Sequence, residues 1–267
     1  MTARIRLPRP AVVASAVFNA VCYLFLALPA VVVVAASFSS ASMLSFPPRG
    51  FTLSWYAKTL ADPAFMSALR VSVELAFLST GLALALGLPA GYALARYRFR
   101  GRELAQSILM SPLVVPAVVF AIGLLQLLTV IGLARSMVGL VVGHVVITLP
   151  YVVRNMTAAF VLFDPSLEQA ARNLRATPFQ VIRRVTLPVM LPSVLSSAVF
   201  AFVTSFGNLT VSIFLGGPGH TTLPVQIFAY VDQSLDPMVA AVSTIVILIT
   251  LAVVFLVERL VGLQRIV

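Results

Sequence analysis

The sequence predicts an all-α membrane protein with six transmembrane helices and both termini in the cytoplasm. Three observations predict it. Of the 267 residues, 60% are apolar and 10% charged, and the mean hydropathy is +1.06. A soluble domain has about 25% charged and about 45–50% apolar residues, and a water-soluble fold of the present composition would expose large apolar patches. Second, six apolar stretches each supply the roughly 20 residues that a bilayer crossing requires. Third, the basic residues divide unequally between the segments joining those stretches. Soluble, disordered and disulfide-rich classes are excluded. The only cysteine, Cys22, lies in an apolar run. It reads as a packing residue and leaves no disulfide framework or cysteine-based metal site.

A cytoplasmic N-terminus, 1–10, leads into a first span at 11–36. The basic start (Arg4, Arg6, Arg9) and Ala35-Ala36-Ser37 imitate a secretory signal. A signal's apolar core runs roughly 7–15 residues, and this one is far longer, so it reads as an uncleaved helix. An external loop follows at 37–66. Its Pro47-Pro48-Arg49-Gly50 marks a turn, and Trp55-Tyr56 suit the headgroup level. The core, 67–258, holds five further spans at 67–95, 105–131, 137–163, 189–214 and 238–258. A cytoplasmic C-terminus occupies 259–267. These runs are too continuous for a transmembrane barrel, which shows short alternating segments.

The net charge is +10, from 17 Arg and one Lys against eight acids. In a soluble protein this would suggest nucleic acid. Here Arg4, Arg6, Arg9, Arg96, Arg98, Arg100, Arg102, Arg172, Arg175, Arg183, Arg184, Arg259 and Arg265 fall on one side of the spans, and only Arg49, Lys58 and Arg135 on the other. The richer side is cytoplasmic by the positive-inside rule, which places both termini inside and removes the nucleic-acid reading.

Gly87 and Gly91, like Gly139 and Gly143, are four residues apart. That spacing lets helix backbones approach closely in lipid. Pro29, Pro89, Pro112, Pro116 and Pro150 lie within or near the ends of spans, where each removes a backbone hydrogen bond and can kink the helix.

The segment between the fourth and fifth spans, 164–188, is the most informative. Asp164 suits the N-cap of a helix with Pro165 at its first position. Leu167, Ala170, Ala171 and Leu174 then share one face. Thr177 caps a second helix, with Pro178 first and Gln180 closing a capping box, and the chain re-enters the membrane at Leu187-Pro188. A shallow apolar knob of this kind suits a groove on another protein. A hairpin lying on the bilayer, with Arg172, Arg183 and Arg184 near lipid phosphates, accounts for the same residues equally well.

This segment resembles the EAA motif of permease subunits in binding-protein-dependent ABC importers: Glu-Ala-Ala, three residues, Gly, nine residues, Ile, any residue, Leu-Pro. Ala170-Ala171, the spacing to Val185, and Leu187-Pro188 carry the likeness. Gln169 stands where the family has Glu, with Glu168 adjacent, and Arg175 stands where it has Gly. The order of spans, and Phe214-Leu215-Gly216-Gly217-Pro218-Gly219 followed by Thr221-Thr222-Leu223-Pro224, look most like the second permease of spermidine/putrescine-type importers. The resemblance implies a MetI-like type I importer fold. It also implies an ATPase-coupling helix drawn from Glu168, Gln169, Ala170, Ala171, Arg172, Leu174 and Arg175. The implied partners are a cytoplasmic ATP-binding-cassette dimer that holds ATP and Mg, a second and different permease, a periplasmic binding protein and membrane lipid.

No phosphate-binding G-x-x-x-x-G-K-[ST] loop is present, and the only Lys, Lys58, lies in an external stretch. ATP hydrolysis is therefore expected on separate subunits, with no cofactor held by this chain. No HExxH or nucleophile elbow appears either, and His144 and His220 are too few for a metal site.

Polar groups inside spans tend to face a bundle interior or a water path. Ser205, Asn208, Thr204, Gln126 and His144 are the candidates for a substrate pathway, and helix–helix hydrogen bonding is the competing role for His144, Ser205 and Asn208. Polyamine permeases often carry acids in this part of span five, whereas here Ser205-Phe206-Gly207-Asn208 has none. The solute is accordingly read as small and polar: polyamine-like, a phosphonate or an amino-acid derivative. Arg70 and Glu74 suit an i,i+4 pair. Glu74 also supports the alternative of an ATP-independent secondary carrier, for which no internal repeat is visible.

Overall fold

The computed structural model describes residues 9–261, and among these every regular element is helical. Arg4, Arg6 and Arg265, counted above on the cytoplasmic side, lie outside the described residues. The chain divides into two compact units, one built from Met1–Ala61 with Tyr230–Leu248, the other from Asp62–Ala229 with Ile249–Val267.

In the first unit, α1 (Arg9–Ala36) is an apolar helix with Pro29 inside it. From Val13 to Val31 its side chains are exposed, apart from half-buried Cys22. An all-round apolar surface of this length matches lipid rather than water. The loop beyond closes on itself. The Arg49 carbonyl accepts the Ser40 N–H at 2.8 Å and the Ser40 hydroxyl at 2.7 Å. Trp55, the second residue of α2 (Ser54–Ala61), donates Nε1–H to the Ser39 carbonyl at 2.9 Å, and Tyr56 bonds Ser37. The aromatic pair assigned from sequence to the headgroups therefore fastens this loop.

The second unit is organised by α3 (Pro63–Arg96), α6 (Met137–Leu162) and α9 (Leu187–Phe206). Asp62 caps α3, its Oδ1 accepting the Ala64 N–H at 2.8 Å, with Pro63 in the first turn. The predicted glycine pair brings α3 against α6. A methyl on Gly87 would stand 2.6 Å from Val152 Cγ1, and one on Gly91 would stand 2.8 Å from Met156 Cβ. Around that contact Ala83, Val152, Met156, Phe160, Met190 and Ala201 form one buried cluster. Leu75, Ala121, Leu128, Leu140, Val211 and Leu215 form another. At the end of α3, Arg102 donates through Nε and Nη2 to the Leu94 carbonyl at 2.9 and 2.7 Å. Arg96 donates to the Phe163 carbonyl at 3.2 Å. Two of the four arginines in that segment thus satisfy helix-end carbonyls, as cations at a C-terminus do.

Two spans differ from the sequence reading. The third, expected as one helix over 105–131, is α4 (Arg102–Met110), a 3₁₀ turn Ser111–Leu113 and α5 (Ala117–Val130), bent by 104°. Pro116 has no N–H to give and its own backbone is extended, at ψ 128°, so the chain turns there. The fifth, expected over 189–214, ends at Phe206. After Gly207 the Asn208 Oδ1 accepts the Val211 N–H at 2.8 Å and starts the separate short helix α10 (Thr210–Leu215). At its other end the fifth span begins earlier than expected. After α7 (Pro165–Asn173), α8 (Pro178–Val181) runs through a π-helical turn, Ile182–Thr186, into α9 as one helix over Pro178–Phe206. The expected re-entry at Leu187-Pro188 is thus not a break. Pro188 falls in the first turn of α9, and the wide π turn absorbs the misfit. Then α11 (Leu223–Gln233) starts with the Leu223 N–H donated to Ser72 Oγ at 2.7 Å, and α12 (Met238–Val261) closes the described chain. Among the described residues five helices are long and apolar enough to cross a membrane, or six with the bent pair as one span.

Candidate functional site

Both predicted caps of the loop are present. Asp164 Oδ1 accepts the Ser166 N–H at 2.9 Å and Oδ2 accepts its hydroxyl at 2.8 Å. These two bonds, the backbone one first, hold the Asp164 carboxyl below the usual carboxylate range. Thr177 donates its N–H to Gln180 Oε1 at 2.9 Å and accepts the Gln180 N–H at 3.4 Å, the reciprocal capping box. Between the caps, α7 ends in a Schellman-type turn, with the Ala176 N–H donated to the Ala171 carbonyl at 3.1 Å. Arg175 supplies the left-handed residue, at φ +62°. The position where the family has Gly therefore keeps the conformation that Gly favours, at a cost of roughly 1–2 kcal/mol to a residue with a Cβ.

The coupling candidates separate by exposure. Gln169, Ala170, Arg172 and Arg175 are exposed, Ala171 is half-buried, and Leu167 and Leu174 are 43% and 85% exposed. Glu168 alone is buried, at 7%. Its Oε1 accepts the Thr186 hydroxyl at 2.8 Å, and its Oε2 lies 3.7 Å from Arg172 Nη2. An exposed apolar tip with no cover, on a short capped helix, is the surface that helix-in-groove docking uses.

The pathway candidates separate as well. His144 and Ser205 are buried, and His144 Nδ1 lies 2.8 Å from Ser205 Oγ. His144 Nε2 lies 3.1 Å from Ser212 Oγ, and Ser79 donates to Ser205 at 2.8 Å. One polar knot thus joins α3, α6, α9 and α10. Asn208 reaches it through its carbonyl, which accepts the Ser212 hydroxyl at 2.6 Å. Thr204 is half-buried and Gln126 exposed, and neither bonds to the knot's side chains. Ser79 was missed. A lone serine in an apolar span carries no positional signal until its partner helix is known. Arg70 and Glu74 form the expected pair at 2.7 Å, largely exposed. Among the described residues no group of His, Cys, Asp or Glu could hold a metal ion.

A family model described as binding-protein-dependent transport system inner membrane component matches residues 83–265. The chain is 33% identical over 239 residues to the spermidine/putrescine transport system permease protein PotC of Haemophilus influenzae, covering 90% of this chain and 93% of that protein. It is 32% identical over 232 residues to the putrescine transport system permease protein PotI of Escherichia coli, covering 84% and 82%. Among solved structures, a bacterial ABC transporter that imports the acidic polysaccharide alginate superposes with a TM-score of 0.68 at 18% identity, covering 98% of this chain and 99% of that one. That last likeness is one of fold. The secondary-carrier alternative falls with these matches, and the chain belongs to the family of binding-protein-dependent transport system inner membrane components, as a permease subunit of an ABC importer and not an enzyme.

Proposed function

We propose that this chain supplies one half of the translocation pathway for a small polar solute in a bacterial inner membrane, paired with a second, different permease. Both termini and the segment 164–188 face the cytoplasm and 37–66 the periplasm, where a binding protein delivers solute. The outer face of α7 and the turn that ends it (Gln169, Ala170, Ala171, Arg172, Leu174, Arg175) dock into a cytoplasmic ATPase, which holds the ATP and Mg. Ser205, Asn208, Thr204, Gln126 and His144 belong to the pathway helices. The observation that carries this reading is the uncovered, doubly capped α7 at the root of a spanning helix, with Leu174 85% exposed. A docked state favoured by nucleotide must bias the membrane state coupled to it.

The solute class rests on the named relatives, which make polyamines the first candidates. The stretch 204–212 holds no carboxylate, which favours a phosphonate or an amino-acid derivative as the second. Uptake of labelled spermidine, putrescine, a phosphonate and amino acids, in cells carrying the whole importer, decides between them. Ala171→Glu is expected to abolish uptake while the chain stays in the membrane. Normal uptake in a well-expressed Ala171→Glu variant refutes the docking role. Cross-linking of α7 to phospholipid alone favours the surface-hairpin reading.

A further inference from the structure

Glu168 is the only acid between Pro165 and Pro188, and it is the one buried residue of α7. Gln169 and Ala170 beside it are exposed, whereas Glu168 is 7% and Thr186 4% exposed. One carboxylate oxygen accepts the Thr186 hydroxyl at 2.8 Å, and the other is 3.7 Å from Arg172. Thr186 is the last residue of the π turn, immediately before α9. The bond therefore spans from α7 to the foot of a membrane helix and bypasses α8. A buried carboxylate needs its partners, because an ion left without them in low dielectric is strongly disfavoured. A π turn inside a helix is a place where bending concentrates.

We infer that Glu168 is a positioning residue and not an ATPase contact: through Thr186 it locks α7 to α9 across the π turn, so that loop and span move as one body. This rests on the docking reading above and adds what makes the docked helix effective. Without the tie, displacement of α7 is taken up by bending at Ile182–Thr186 and does not reach the span.

The test uses the complete importer in lipid, with Cys22 replaced by Ser and spin labels at Asn173→Cys on α7 and Phe200→Cys on α9, both exposed positions. In the parent the interlabel distance is expected to be narrow and unchanged by ATP with vanadate. Thr186→Val and Glu168→Ala are expected to broaden it, shifting it by several ångström on nucleotide trapping, while the ATPase still co-purifies. Thr186→Ser, which keeps the hydroxyl, and Glu168→Gln, which keeps an acceptor, restore the narrow distribution and show that the chain folds. A narrow, unmoved distance in Thr186→Val overturns the tie. Loss of the ATPase from Glu168→Ala but not from Thr186→Val overturns it too, making Glu168 a docking residue and leaving the docking reading intact. Failure of any ATPase to co-purify with the parent removes the docking reading itself.

Discussion

The two ends of α9 are held in opposite ways. At Ser205 the helix enters a knot of four side chains, with His144 bonded through both ring nitrogens and Ser79 and Ser205 buried beside it. At Thr186 a single bond to Glu168 joins it to a helix whose other face is open to solvent. The two sites stand about 28 Å apart along the axis, at 1.5 Å per residue. Redundant bonding at one end keeps four helices in register. One bond at the other end ties the loop to the span and leaves the loop's outer face open. The difference is between a joint that must not move and one that must transmit movement, and it is written in burial and in bond number.

The knot is the costlier end to disturb. His144→Ala removes two hydrogen bonds and leaves a buried void, and is expected to destabilise the chain by about 2–4 kcal/mol. Denaturation in detergent followed by circular dichroism reads this, and a change below about 0.5 kcal/mol would show that the knot is no fixed joint. Gly91→Val forces side chain into the α3–α6 contact and should cost about 1–3 kcal/mol by the same measurement. The loop responds in the other direction. Arg175→Gly removes the penalty of a left-handed arginine and should stabilise the α7 turn by about 1 kcal/mol. Slower amide exchange across residues 170–177 is the expected readout. Smallest is the Asp164 cap. Its carboxyl is depressed by the Ser166 bonds, so its contribution is complete above the ordinary carboxylate value. It is lost as pH falls through the lower folded value. Amide exchange of the first turn of α7 should rise there in the native chain, and Asp164→Ala should show no such step.

Much of this was legible. Run length located the long apolar helices, because a bilayer sets a minimum that few soluble segments reach. The caps at Asp164 and Thr177–Gln180 were readable because a cap is a local bond within three residues. The bend at Pro116 was missed although Pro112 and Pro116 were both noted, since the apolar run continues across it without a polar marker. The end of α9 at Phe206 was not legible for a different reason: Asn208 reads as a polar group inside a span rather than as the start of a new helix. The burial of Glu168 against Thr186 was not legible at all. Its neighbour Gln169 occupies the family's acid position, while the partner that explains Glu168 is eighteen residues away. Likewise His144 could be read as polar and intramembrane, but not as bridging Ser205 and Ser212, since those contacts exist only after three helices pack.

The elbow between α4 and α5 has a consequence for the surrounding lipid. A helix of 14 residues rises about 21 Å, well short of a hydrocarbon layer of about 30 Å. A crossing built on α5 therefore needs the α4 arm as well, and the backbone left open at their elbow has to be shielded from acyl chains by neighbouring protein.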